Sequence, residues 1–133
     1  MIVKFFKRGG TNDNKISTGG EGVKNYLLGK DNDREKASLL AGDPNETTEI
    51  INGLGFNKIY TSGCLSFDGE ESQRITDQQK YEIMQNFERT LFGDFDKSRI
   101  SGYWVEHTDK VDPNNGLERL ELNFVFANVD LMT

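Results

Sequence analysis

The chain has 133 residues, a length that suits one domain with a real hydrophobic core. A single cysteine, Cys64, and a single histidine, His107, exclude an intramolecular disulfide, a multi-cysteine zinc site and a cage of histidines. With 22 acidic against 16 basic side chains the net charge is −6, which on composition alone argues against a nucleic-acid binder. No stretch approaches the roughly 20 apolar residues of a membrane helix. The start, MIVKFFKRGG, lacks the apolar segment and cleavage site of a signal peptide, so a cytoplasmic protein is expected.

Residues 1–7, rich in Ile, Val and Phe, read as a first strand. Gly9, Gly10, Asn12, Asp13, Asn14, Gly19, Gly20 and Gly22 then crowd a loop. It has neither GxGxxG nor a closing GKS or GKT, so it reads as a hinge or substrate-facing loop and not as a nucleotide cradle. A short helix is expected over Val23–Leu28, stopped by Gly29, and a second over Asp31–Ala41, stopped by Gly42. Asp43 as cap and Pro44 at the first helical position open a third, Asn45–Gly53. Lys58–Phe67 alternates as a strand does, and Cys64 inside it reads as a buried structural thiol.

The clearest helix is Asp77–Phe92. Thr76 caps it, Gln79 completes a capping box, Gly93 ends it, and Ile83, Met84, Phe87 and Leu91 should face a sheet. Ile100–His107 and Arg119–Asn128 read as strands joined by a polar loop holding Pro113, Asn114, Asn115 and Gly116, most simply an antiparallel hairpin. The order predicts one α+β domain over residues 1–133, an antiparallel-rich sheet with helices packed on one face.

The last strand carries the chemistry. In RLELNFVF, Leu120, Leu122, Phe124 and Phe126 point one way, and Arg119, Glu121, Asn123 and Val125 the other. A carboxylate and an amide thus stand about 7 Å apart on one face. If the hairpin pairs, His107 reaches that face too. An imidazole, a carboxylate and an amide oxygen form a mixed nitrogen and oxygen set that suits Mg²⁺ or Mn²⁺ better than zinc. Taken singly, each of these residues also fits an ordinary polar strand face or a hydrogen-bonded structural histidine.

WVEHTDK (Trp104–Lys110) followed by RLELNFVFANVDL (Arg119–Leu131) resembles the plasmid mobilization relaxases of the colicinogenic-plasmid type. In that branch of the HUH endonuclease superfamily, His-Glu-Asn replaces a histidine triad. MIVKFFKRG looks like the family's first strand and GVKNYLLGK (Gly22–Lys30) like its catalytic tyrosine segment. AGDPNETTEIINGLGFNKIYTSGCLSF (Ala41–Phe67) is similar to the family's GNP…KYTSGVLSF stretch. The resemblance covers nearly the whole chain in the family's order.

The resemblance implies a HUH relaxase-like fold and a site- and strand-specific DNA nickase that keeps a covalent 5′-phosphotyrosine. Its partners would be single-stranded origin DNA and accessory mobilization proteins. It implies Tyr26 as nucleophile and His107, Glu121 and Asn123 as the signature that holds Mg²⁺ or Mn²⁺. Tyrosine is a weak nucleophile at neutral pH, so it needs deprotonation or a metal-activated phosphate. Asp109 would orient His107 or assist proton transfer, or else cap the loop. Lys4, Lys7, Arg8, Lys24 and Lys30 are candidate phosphate contacts. Two departures stand out. Val111–Glu118 lengthens the family's connection between the histidine and glutamate strands, and family chains continue into basic sequence past the point matching Thr133. A non-catalytic DNA-binding module with the same fold, or a replication-initiator nickase, is the alternative.

Overall fold

In the structure, a computed structural model that describes residues 1–6, 20–54, 60–93, 96–129 and 131, five strands form one antiparallel sheet. They are β1 (Ile2–Phe6), β2 (Ala37–Gly42), β3 (Tyr60–Phe67), β4 (Gly102–Val111) and β5 (Glu118–Ala127), in the spatial order β1-β3-β5-β4-β2. The helices are α1 (Gly20–Leu28), α2 (Pro44–Asn52), α3 (Gly69–Arg74) and α4 (Asp77–Phe92). The class is α+β, as expected. None of the described helices is long and apolar enough to cross a membrane.

β5 sits in the middle of the sheet, paired with β3 on one side and β4 on the other. Its alternation works as read: Leu120, Leu122, Phe124 and Phe126 are buried with Leu65, Phe67, Trp104 and Met84 of α4. Phe124 meets Phe5, Phe87, Trp104 and Phe126 at ring-centroid distances of 4.7 to 5.7 Å. Each such pair adds about 0.5–1.5 kcal/mol beyond its area burial. Leu91, expected to face the sheet, instead points toward the β1 edge and is 37% exposed. Phe92 takes its place, with its ring 5.0 Å from Phe126. β1 is only five residues long and leaves little sheet for the last turn of α4 to cover.

The opposite face is covered over part of its extent. Val23, Leu27 and Leu28 of α1 and Ile51 of α2 pack on Tyr60, Tyr103, Val105, Val125 and Ala127. The sequence reading did not anticipate this second layer, although both helices were expected. α1 ends at Gly29, whose φ of +88° suits glycine. α2 is capped by Asp43, which accepts from the amides of Asn45 and Glu46. The capping box of Thr76 and Gln79 on α4 is present in both directions.

The helix expected over Asp31–Ala41 does not form. Residues 29–36 make a turn and Ala37–Gly42 is an edge strand on β4. Leu39, Leu40 and Ala41 favour helix locally, but the open edge of β4 has backbone groups that pairing satisfies, and tertiary context wins. Gly42 is needed there, because a Cβ would lie 2.1 Å from the Gly102 carbonyl oxygen. α3, absent from the reading, is nucleated by a reciprocal capping box between Asp68 and Glu71. β4 runs past His107 to Val111, and the hairpin loop is held by Asp112, which accepts from Gly69 N and Asn114 N. The greater part of the Gly-rich loop, residues 9–19, and the start of the Lys58–Phe67 strand lie outside the described residues.

Candidate active site

The register of the two inner strands brings the predicted trio together. His107 pairs with Glu121, and Val105 with Asn123, so with period-two alternation His107, Glu121 and Asn123 share one face of β4 and β5. All three are buried. Nε2 of His107 lies 2.7 Å from the Leu27 carbonyl oxygen. A carbonyl only accepts, so Nε2 carries the proton and Nδ1 keeps its lone pair. Burial, with the nearby Arg34 charge, lowers the His107 pKa, while the Leu27 bond, Asp109 and Glu121 act in the opposite sense. The imidazole is therefore neutral near pH 7, with one nitrogen anchored to backbone and one available, the usual state of a metal-binding histidine.

Asn123 donates from Nδ2 to the Val105 carbonyl at 3.2 Å, which leaves its Oδ1 as an acceptor. Glu121 lies 3.5 Å from Lys110 Nζ, a long pairing. Among the described residues no group of three or more His, Cys, Asp and Glu side chains is arranged to hold a metal. The trio is one nitrogen, one carboxylate and one amide oxygen, and this donor set fits a hard divalent cation.

Tyr26 lies in the last turn of α1, immediately before Leu27, and is 53% exposed. The link between Leu27 and His107 thus ties the tyrosine segment to the strand that carries the trio. The other tyrosines are engaged elsewhere: Tyr60 and Tyr103 are buried, and Tyr81 donates to the Leu40 carbonyl. Burial raises the Tyr103 pKa far above that of a free phenol.

Asp109 sits in the irregular stretch of β4 between His107 and Lys110, and it commits its carboxylate to Arg34 Nη2 at 2.9 Å. Burial opposes its ionisation, but the hydrogen bond and charge of Arg34, with His107, hold its pKa below the usual carboxylate value. The same guanidinium donates from Nη1 to the Tyr26 carbonyl at 2.6 Å and stands 5.3 Å from the Tyr26 ring centroid. Arg34 escaped the sequence reading. Its signal is the D-N-D-R run after Lys30, which local pattern assigns to a helix that does not form.

Of the candidate phosphate contacts, Lys4 is exposed on β1 opposite Cys64, Lys24 is half-buried on α1, and Lys30 is exposed in the following turn. Lys7 and Arg8 lie outside the described residues. Cys64 pairs with Asn123 and is buried. Burial, with the Glu121 charge, pushes its thiol pKa up, so it is a packed thiol beside the trio.

No protein-family model and no solved structure matches the chain. Over all 133 residues it is 47% identical to Cryptic plasmid protein C of Neisseria gonorrhoeae and 42% identical to DNA relaxase MbeA of Escherichia coli. It spans 57% of the length of the first and 22% of the length of the second. Along its whole length, then, the chain is related to proteins that include a plasmid-borne protein and a DNA relaxase.

Proposed function

We propose that the chain is the nicking domain of a plasmid mobilization relaxase, in the His-Glu-Asn branch of the HUH endonucleases, acting in the cytoplasm on single-stranded DNA of a plasmid transfer origin. The observation that carries this reading is the bond from His107 to the Leu27 carbonyl, which joins the Tyr26 segment to the strand bearing the trio. The similarity to DNA relaxase MbeA supports the substrate class.

In the proposed reaction the Tyr26 hydroxyl oxygen attacks the scissile phosphorus and the P–O3′ bond breaks. The phenol loses one proton and the departing 3′-oxygen takes up one. The 5′-phosphate stays on Tyr26 as a phosphodiester, so a 3′-hydroxyl can later reverse the step with no nucleotide cofactor. His107 Nδ1, the Glu121 carboxylate and Asn123 Oδ1 would hold Mg²⁺ or Mn²⁺. When bound, such an ion polarises the scissile phosphate and offsets charge developing on its oxygens. Lys4, Lys24 and Lys30, with Lys7 and Arg8, would contact flanking phosphates, and accessory mobilization proteins would deliver unwound origin DNA.

The test is to incubate the protein with Mn²⁺ and labelled oligonucleotides spanning a plasmid transfer origin, then resolve covalent adducts on a denaturing gel. The wild type should form an adduct that Tyr26→Phe abolishes, and His107→Ala should lose Mn²⁺ binding in calorimetry. An adduct with Tyr26→Phe as strong as with wild type would refute the nucleophile. DNA binding without a nick at any divalent ion would return the chain to the class of non-catalytic DNA-binding modules.

A further inference from the structure

The turn after α1 is built to return one side chain to the helix it leaves. Gly29 takes φ +88°, and a Cβ there would lie 2.3 Å from Asp33 Oδ1 and 2.6 Å from Arg34 N. Asn32 and Lys36 adopt φ of 58° and 56°, in the left-handed region that side chains avoid. The turn is closed by Asn32 N to Gly29 O at 3.1 Å and Arg34 N to Leu28 O at 3.0 Å, and Thr108 N bonds Lys36 O at its far end. Its product is Arg34 lying across the last turn of α1.

α1 has no basic residue in its own last turn, so Arg34 supplies the cation that the carbonyl end of a helix favours. A cap would need only the bond to the Tyr26 carbonyl. Arg34 does more: its guanidinium also stands over the Tyr26 ring and forms an ion pair with Asp109, two residues beyond His107. Main chain and ring of the tyrosine are thereby tied to the strand that carries the trio, by a fork whose two ends lysine cannot reproduce.

We propose that Arg34 is a positioning residue for the nucleophile: its guanidinium clamps Tyr26 to Asp109, so the phenol stands in register with the His107, Glu121 and Asn123 site. This rests on the reading of Tyr26 as nucleophile. Arg34 makes no bond in the reaction. It fixes the direction from which the phenol approaches phosphorus.

The experiment compares wild type, Arg34→Ala, Arg34→Lys, Asp109→Asn and the Arg34→Ala/Asp109→Asn double variant in single-turnover adduct formation with Mn²⁺ at saturating oligonucleotide. DNA affinity is measured by anisotropy. In parallel the protein is labelled with fluorotyrosine, which gives one ¹⁹F resonance for each of four tyrosines, with Tyr26 assigned by its loss in Tyr26→Phe. A displacement of about 1 Å can cost on the order of 100-fold in rate, so Arg34→Ala should slow adduct formation by about that factor. The dissociation constant for DNA should change by less than about threefold, which separates positioning from binding. Arg34→Lys should stay slow despite keeping the charge, and the double variant should be little slower than Arg34→Ala. The Tyr26 fluorine resonance should shift and broaden in both Arg34 variants.

An unchanged rate in Arg34→Ala would overturn the clamp. So would full rescue by lysine, or a loss of affinity with an unchanged rate at saturation, which would mark a phosphate contact. If Arg34→Ala fails to fold, Arg34→Lys decides the matter by the same readouts. If the wild type forms no adduct, the nucleophile reading fails, and the fluorine resonance still decides the clamp: unmoved in the Arg34 variants, it overturns it.

Discussion

Because the chain has one histidine, the state of His107 can be read from stability alone. The folded environment lowers its pKa from the ordinary value of 6.5, with burial the largest cause. As pH falls below about 6.5, the unfolded chain takes up a proton that the folded chain refuses, and stability drops. One proton of difference corresponds to at most about 1.4 kcal/mol per pH unit. A domain of this kind has about 5–15 kcal/mol in all, so the loss is measurable across one unit. Below the folded pKa both states are protonated and the slope vanishes. Neighbouring Asp109 is held ionised by Arg34 and adds no competing titration here. The assay is urea unfolding with chelator present, at steps between about pH 7.5 and pH 5.5, for wild type and His107→Gln. Glutamine keeps an N–H donor for the Leu27 carbonyl and removes the titration. The wild type should lose stability across this window while the variant stays level. Parallel slopes in the two proteins would refute the buried, neutral assignment, and with it the lone pair offered by Nδ1.

Two further outcomes follow from close contacts. A Cβ on Gly63 would lie 2.1 Å from the Lys4 carbonyl oxygen and 2.7 Å from Phe124 Cζ, so Gly63→Ala should displace β1 and cost about 1–3 kcal/mol in urea unfolding. The Cys64 thiol, buried and with its pKa raised, should resist a thiol reagent at about pH 8 in the folded protein and react at once in concentrated urea.

The parts of the molecule written in short-range chemistry were readable. Asp43 before Pro44, and Thr76 three residues before Gln79, fix two helix starts through the backbone amides they satisfy. The period-two pattern of β5 put Glu121 and Asn123 on one face before any partner strand was known. The rest depends on who pairs with whom. Leu39, Leu40 and Ala41 read as helix because nothing local announces the open edge of β4. Arg34 went unseen for the same reason, since its partners are eight and 75 positions away. Asp109 reads as a site residue from the sequence, but its partner Arg34 reaches it only because residues 29–36 form a turn. Lys110 beside Glu121 reflects the irregularity between His107 and Lys110, which no residue pattern signals.

β5 is one strand doing two jobs on alternate letters. Leu120, Leu122, Phe124 and Phe126 hold the aromatic core, and Glu121 and Asn123, interleaved with them, face the candidate site on the reverse side. A repacking of the core therefore arrives at the site within one peptide unit, with no loop between them to absorb it. The same coupling runs backwards. A cation bound to the reverse face would be gripped by a strand laddered on both edges, and would raise the unfolding temperature of the entire sheet with the logarithm of its free concentration above the dissociation constant. Melting temperature with and without Mn²⁺ is thus a test of whether the reverse face binds an ion, one that needs neither DNA nor turnover.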